Sequence, residues 1–138
     1  MKKWLLALMV ILAPGLVVAQ EVFKIELFVK HPVTIQNQQF ARDIAFNVVY
    51  LDQGARVMQS INRQLPTTEA EATVAAQAIF SDPDIQSQIT AAHQNAFKAY
   101  RLGIDRLPAA VINNAFIIYG TTDVARILQL SQHHLSQQ

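Results

Sequence analysis

Few side chains in this sequence could do chemistry, and their spacing argues against most of it. Four histidines are present: His31, His93, His133 and His134. A zinc site asks for three or four converging ligands. His133 and His134 stand side by side in a polar C-terminal stretch, and His93 falls inside a helical pattern with no histidine one turn on. No metal site and no cofactor are expected. Ser60, Ser81, Ser87 and Ser131 lack the strand-to-helix elbow that exposes a nucleophilic serine. Asp43 with Asp52, or Asp82 with Asp84, could pair as acid and base. However, Asp82 and Asp84 lie where a helix needs capping, and Asp52 where a turn is needed. Tyr119-Gly120-Thr121-Thr122-Asp123 has a lone glycine, too little for a phosphate-cradling loop. There is no cysteine at all, so thiol nucleophiles, disulfide exchange and a lipid-bearing N-terminal cysteine are excluded.

The first residues address the protein rather than build it. Lys2-Lys3 is a positive n-region, Trp4 to Leu12 an apolar h-region, Pro14-Gly15 a breaker and Val17-Val18-Ala19 a small-residue cleavage site. The apolar run is short of the roughly 20 residues a membrane span needs. Residues 1–19 are therefore expected to be a cleaved signal peptide, 20–138 one exported domain, and no stable membrane span is expected after cleavage. Loss of Lys2 and Lys3 takes the basic residues from 11 to 9 against 10 acids, a net charge of −1. That balance gives no electrostatic footprint for nucleic acid or an anionic membrane. About 119 remaining residues are enough for one core to fold without disulfide staples.

Periodicity supplies the elements. Val22 to Lys30 alternates, with Phe23, Ile25, Leu27 and Val29 inward and Lys24, Glu26 and Lys30 outward, which predicts a half-buried strand. Phe28 breaks the polar side, as a residue lying under a helix would. His31-Pro32 ends the strand, and Thr34 to Arg42 is polar without a period. Ile44 to Leu51 predicts a second strand, with Ile44, Phe46, Val48 and Tyr50 on one face. Val57, Met58, Ile61 and Leu65 form one face of a short helix that Pro66 stops. Thr68-Glu69-Ala70-Glu71 is a capping box opening an alanine-rich helix whose inner side is Val74, Ala75, Ala78 and Ile79. Ser81-Asp82-Pro83-Asp84 starts the longest helix, with Ile85, Ile89, Ala92, Ala96 and Ala99-Tyr100 inward and Lys98 outward. Val124, Ile127 and Leu128 stripe a last helix, and 131–138 reads as a fraying tail.

The stretch from Gly103 to Gly120 is the centre of this arrangement. Gly103 stands where a helix would close through a left-handed residue. Leu107-Pro108 then forces extended backbone. Ala109 to Ile112 and Ala115 to Tyr119 are apolar without alternation, as in strands covered on both faces. Asn113-Asn114 between them suits a type I′ turn, because asparagine tolerates positive φ. Gly120, with Thr121 or Thr122 as N-cap and Asp123 in the first turn, opens the last helix. Only about 5–6% of X–Pro bonds are cis in folded proteins, yet a proline in this position, after a helix and before a buried strand, is where thioredoxin-like folds carry a cis-proline.

The order strand, strand, two or three helices, strand, strand, helix is that of a thioredoxin-like α/β domain. It calls for a central mixed sheet of about four strands with helices on both faces. Phe23 with the first strand, Val49-Tyr50-Leu51-Asp52, Leu65-Pro66, Ala99 to Ile104, Leu107 to Val111 and Ile118 to Val124 resemble a family of small exported proteins of unknown function encoded in integrating conjugative elements. That resemblance implies a thioredoxin-like fold and kinship in style with periplasmic components of conjugative type IV secretion systems. It implies a periplasmic role in assembling that machinery through contacts with other envelope proteins, and it does not imply an enzyme. In an active thioredoxin the loop after the first strand would hold the cysteine pair; here it holds His31 and Pro32. The candidate partner-binding residues are therefore His31, Pro32, Leu107 and Pro108. Two other classes stay open: a thiol-independent enzyme or small-molecule binder using His31 or a buried carboxylate, and a general periplasmic chaperone.

Overall fold

The alternating run after Val22 becomes β1, Lys24–Val29. It lies inside the sheet rather than on its surface, because strands flank it on both sides. The computed structural model describes residues 21–138; the signal segment read at 1–19 lies outside the described residues. β2, Ala45–Tyr50, pairs parallel with β1 in a register that sets Lys24 beside Ala45 and Val29 beside Tyr50. β3, Ala109–Ile112, pairs antiparallel with β1, and β4, Phe116–Tyr119, antiparallel with β3. The sheet order is β2-β1-β3-β4.

Between β2 and β3 run α1, Gln53–Gln64; α2, Glu69–Phe80; and α3, Pro83–Arg101. The chain ends in α4, Val124–Leu135. Helices cover both faces. Ile127 of α4 packs with Ile25, Leu27, Val29, Ala110 and Ile112 on one face. Ala99 of α3 packs with Phe28, Val49, Ala109 and Val111 on the other. Each large apolar side chain buried this way contributes about 1.5–3 kcal/mol. α1 adds Val57 and Ile61 to the second layer. Gly54 lets it approach α3, since a Cβ there would lie 3.3 Å from Ala92 Cβ. This is a mixed α/β architecture compatible with a thioredoxin-like fold. Only a 3-10 turn, Gln38–Ala41, connects β1 to β2.

The turn chemistry matches the residue types. Asn113 and Asn114 take φ of 51° and 56°. Gly103, at φ 69°, closes α3: its N–H donates to Tyr100 O and the Ile104 N–H donates to Ala99 O, the paired bonds of a Schellman motif. The Leu107–Pro108 peptide is cis.

Several expectations fail for physical reasons. Phe23, outside the ladder, is 63% exposed, whereas Glu26 is only 5% exposed because α3 lies over it. Lys98 therefore does not point away; it bonds Glu26 Oε1. α2 has no buried residue, so its apolar side is not core, and Ala96 and Tyr100 of α3 are likewise exposed. Asp123, not Thr121 or Thr122, is the N-cap of α4. That helix also runs on through 131–135, where Ser131 is buried and donates to Ile127 O, so the tail begins only after Leu135.

Candidate functional site

The polar loop after β1 has no period of its own because its order comes from the far end of the chain. Gln36 N–H donates to Thr122 O at 3.3 Å, and Val124 N–H donates to Gln36 O at 3.0 Å, a one-residue parallel bridge. Thr122 Oγ1 donates to Thr34 O at 3.2 Å. Asn37, left-handed at φ 57°, donates its amide to Asp123 Oδ1 at 2.9 Å. Asp123 in turn caps α4 by accepting from the Ala125 N–H. The Asn37 amide, aided by backbone N–H groups of α4 and opposed by partial desolvation, holds the Asp123 carboxyl below its ordinary value.

This clamp fixes the C-terminal end of β1 beside the segment that enters β3. Between them lies a cleft of about 450 Å³ lined by Val29, Lys30, His31, Val33, Asp105, Arg106, Leu107, Pro108 and Thr122. Of the four candidate residues, His31, Leu107 and Pro108 line it together. Pro32 is exposed and does not. The Pro108 carbonyl is already used, accepting from the Gly120 N–H at 2.9 Å. Leu107 differs: among the described residues neither its N–H nor its C=O takes part in a hydrogen bond.

Val33 was not singled out in the sequence and Thr122 only as a possible N-cap, and nothing local marks either as part of a cleft. They reach the cleft through the bridge between residues 34–37 and 122–124, which spans most of the chain. Arg106 and Asp105 form a local pair, Nε to Oδ1 at 3.9 Å with both side chains exposed. In addition the Arg106 guanidinium lies over the Tyr119 ring, 4.6 Å from its centroid. The other carboxylates singled out are structural. Asp82 caps α3 by accepting from the Asp84 N–H, and Asp52 precedes α1 and pairs with Arg56 at 3.2 Å. Among the described residues no three histidine or acidic side chains converge as metal ligands would.

Residues 23–137 match a family described as Protein of unknown function (DUF1525). The chain belongs to the DUF1525 family. No curated protein and no solved structure matches it. The match in this DUF1525 protein takes in every strand and helix among the described residues and all the cleft residues.

Proposed function

We propose that this DUF1525 protein is a non-catalytic, thioredoxin-like periplasmic component of an integrating conjugative element. It assists assembly of the conjugative type IV secretion machinery by holding extended segments of other envelope proteins. The observation that carries the binding half of this reading is Leu107. Its free N–H and C=O stand at the rim of an apolar-floored cleft, beside Pro108 and the end of β1, where an extended backbone can pair with them. The conjugative and periplasmic half is supported by the sequence resemblance and the signal-like N-terminus. With no cysteine in the chain, recognition rather than thiol exchange is what the cleft can offer.

Deleting the gene from a transferring element and counting transconjugants tests the biological role; transfer at the parental frequency would remove it. Binding is tested by crosslinking in the envelope. Pro108→Ala and Leu107→Glu should each lower capture of the wild-type partner severalfold, and undiminished capture by both would take this rim out of the proposal. A second reading, small-molecule binding, is favoured by the cleft's size, which lies within the roughly 300–1,000 Å³ of ligand pockets. Lys30, His31 and Arg106 on its walls would suit an anionic ligand. A saturable thermal shift with a panel of small carboxylates and phosphates, abolished by Arg106→Ala, would support that reading over partner capture.

A further inference from the structure

β2 stands at one edge of the sheet, and its free side is unusually open. The Ala45 N–H donates to Phe23 O and the Leu51 N–H to Val29 O, both at 2.9 Å, so the odd-numbered residues of this strand face β1. The N–H and C=O groups of Phe46, Val48 and Tyr50 therefore point outward, toward no further strand among the described residues. Natural edge strands are usually blunted by a charge, a proline or a bulge. β2, Ala-Phe-Asn-Val-Val-Tyr, has none of these and pairs with β1 without a break. The opposite edge is shorter, since β4 has four residues; both edges end in a tyrosine under an arginine, Arg56 over Tyr50 here and Arg106 over Tyr119 there. The side chains of Ile44, Phe46, Val48 and Tyr50 stay half-buried, on the face where the β1–β2 connection is only a 3-10 turn.

We infer that β2 is a self-pairing edge, through which two copies of this chain join antiparallel about a two-fold axis at Asn47. The strand is complementary to itself in one register. With Asn47 opposite Asn47 of the second copy, Phe46 meets Val48 with outward backbone groups facing each other, and Ile44 meets Tyr50 at the ends, where the Ile44 N–H is already held by Ala41 O at 3.1 Å. Aromatic and β-branched side chains then oppose each other on one face, the favourable cross-strand combination. The ends match as well. Arg42 and Asp43 precede the strand, Asp52 and Arg56 follow it, and antiparallel pairing brings each end of one copy to the other end of its mate. Arg42 is exposed and forms no ion pair among the described residues, and it would approach the partly exposed Asp52 carboxylate of the mate, whose Oδ1 already lies 3.2 Å from Arg56 Nε. Sliding by two residues sets Phe46 or Val48 against itself and draws Arg42 away from Asp52. Sliding by one opposes groups already committed to β1. A foreign strand could use the same backbone groups, but only the chain itself supplies this match of register, side chains and end charges.

The chain's lack of cysteine makes the test direct, because one introduced thiol has only its own copy to meet. Residue 47 and its mate form a non-hydrogen-bonded pair with Cα atoms about 4.5 Å apart, within the range a disulfide spans. Two copies of residue 45 lie about 13 Å apart along the strand, four residues at the usual rise. The protein is expressed as the full chain and purified in the processed form in which it is recovered. Sedimentation should show a dimer. Asn47→Cys should crosslink quantitatively under mild oxidation while Ala45→Cys does not. Asn47→Asp, which sets two carboxylates on the axis, should weaken the dimer severalfold with an unchanged circular dichroism spectrum. A protein still monomeric at about 100 μM, a dimer whose Asn47→Cys form does not crosslink, equal crosslinking at 45 and 47, or a dimer indifferent to Asn47→Asp would each overturn the inference. The cleft reading is untouched by any of these outcomes.

Discussion

Glu26 is the most costly residue in the molecule to misplace. It is a carboxylate in the central strand under α3, with Lys98 on Oε1 and Lys24 Nζ 3.5 Å from Oε2, and Oε2 itself accepts no hydrogen bond. Removing one partner from a buried pair costs about 3–5 kcal/mol, because a desolvated charge is left alone. Lys98 is 42% exposed, so water can reach part of the pair and the cost is smaller. Lys98→Ala should destabilise the fold by about 2 kcal/mol in urea unfolding. Glu26→Met, which removes the buried charge and frees Lys98 to solvent, should cost under about 1 kcal/mol. The reverse ranking would mean the carboxylate is hydrated rather than paired. Strand alternation placed Glu26 toward water, and it fails because period two says only which side a residue faces, not whether a helix lies on that side. Phe28, the one apolar residue on that side, was the visible sign of the covering helix. Asp123 yields a pH prediction. Its carboxyl titrates lower in the folded chain than in the unfolded one, so its stabilisation is present above the unfolded value and is lost as pH falls through the folded one. Stability of the wild-type chain should therefore fall below about pH 4 more steeply than that of Asp123→Asn, which keeps a capping oxygen but does not titrate. Parallel urea midpoints across that range would show that the Asn37 contact adds nothing.

At the scale of elements, turns and caps were legible because they depend on a few residues with restricted backbone. The β3–β4 turn shows how much one of them carries. Asn113 supplies a positive φ, and its Oδ1 accepts from the backbone N–H groups of Phe23 and Lys24, both at 3.0 Å. Its Nδ2 donates to Glu21 O at 2.9 Å. One side chain thus shapes the hairpin and ties it to the start of β1. Asn113→Ala should cost about 2–3 kcal/mol, the sum of a strained left-handed alanine and lost hydrogen bonds. Gly103→Ala should cost only about 1 kcal/mol, since no atom lies within 4 Å of the added Cβ and only the backbone term remains. Urea unfolding of the two variants measures that difference directly. The loop from Thr34 to Arg42 was not legible for the opposite reason. Its conformation rests on Thr122, Asp123 and Val124, and no local pattern announces a partner so distant in sequence.

Across the whole molecule, stability should be unevenly spread, and α2 is where it runs out. The sheet residues Ile25, Leu27, Phe28, Ala109, Ala110 and Ile112 are fully buried, whereas α2 buries nothing and Val74 is 68% exposed. The capping box that marks the start of α2 is reduced to Thr68 Oγ1 donating to Glu71 Oε2 at 2.6 Å, with no side chain on the backbone N–H groups. An isolated helix of this length is marginal in water, so α2 persists mainly through its sequence propensity and its contact with α3. The alanine-rich pattern announced the helix correctly but gave it an inner side at Val74, Ala75, Ala78 and Ile79 that is not buried, because alanine is at home on either side. Amide exchange should therefore be fastest, among the helices, in residues 69–80 and slowest in β1 and β3, where opening requires global unfolding. Val74→Ala should change stability by less than about 0.5 kcal/mol, while Val111→Ala, cut from the layer beneath α3, should cost about 2–3 kcal/mol. Protection in α2 equal to that of α3 would mean that something covers its exposed side in solution, and the Val74→Ala variant would then lose both that protection and the cover.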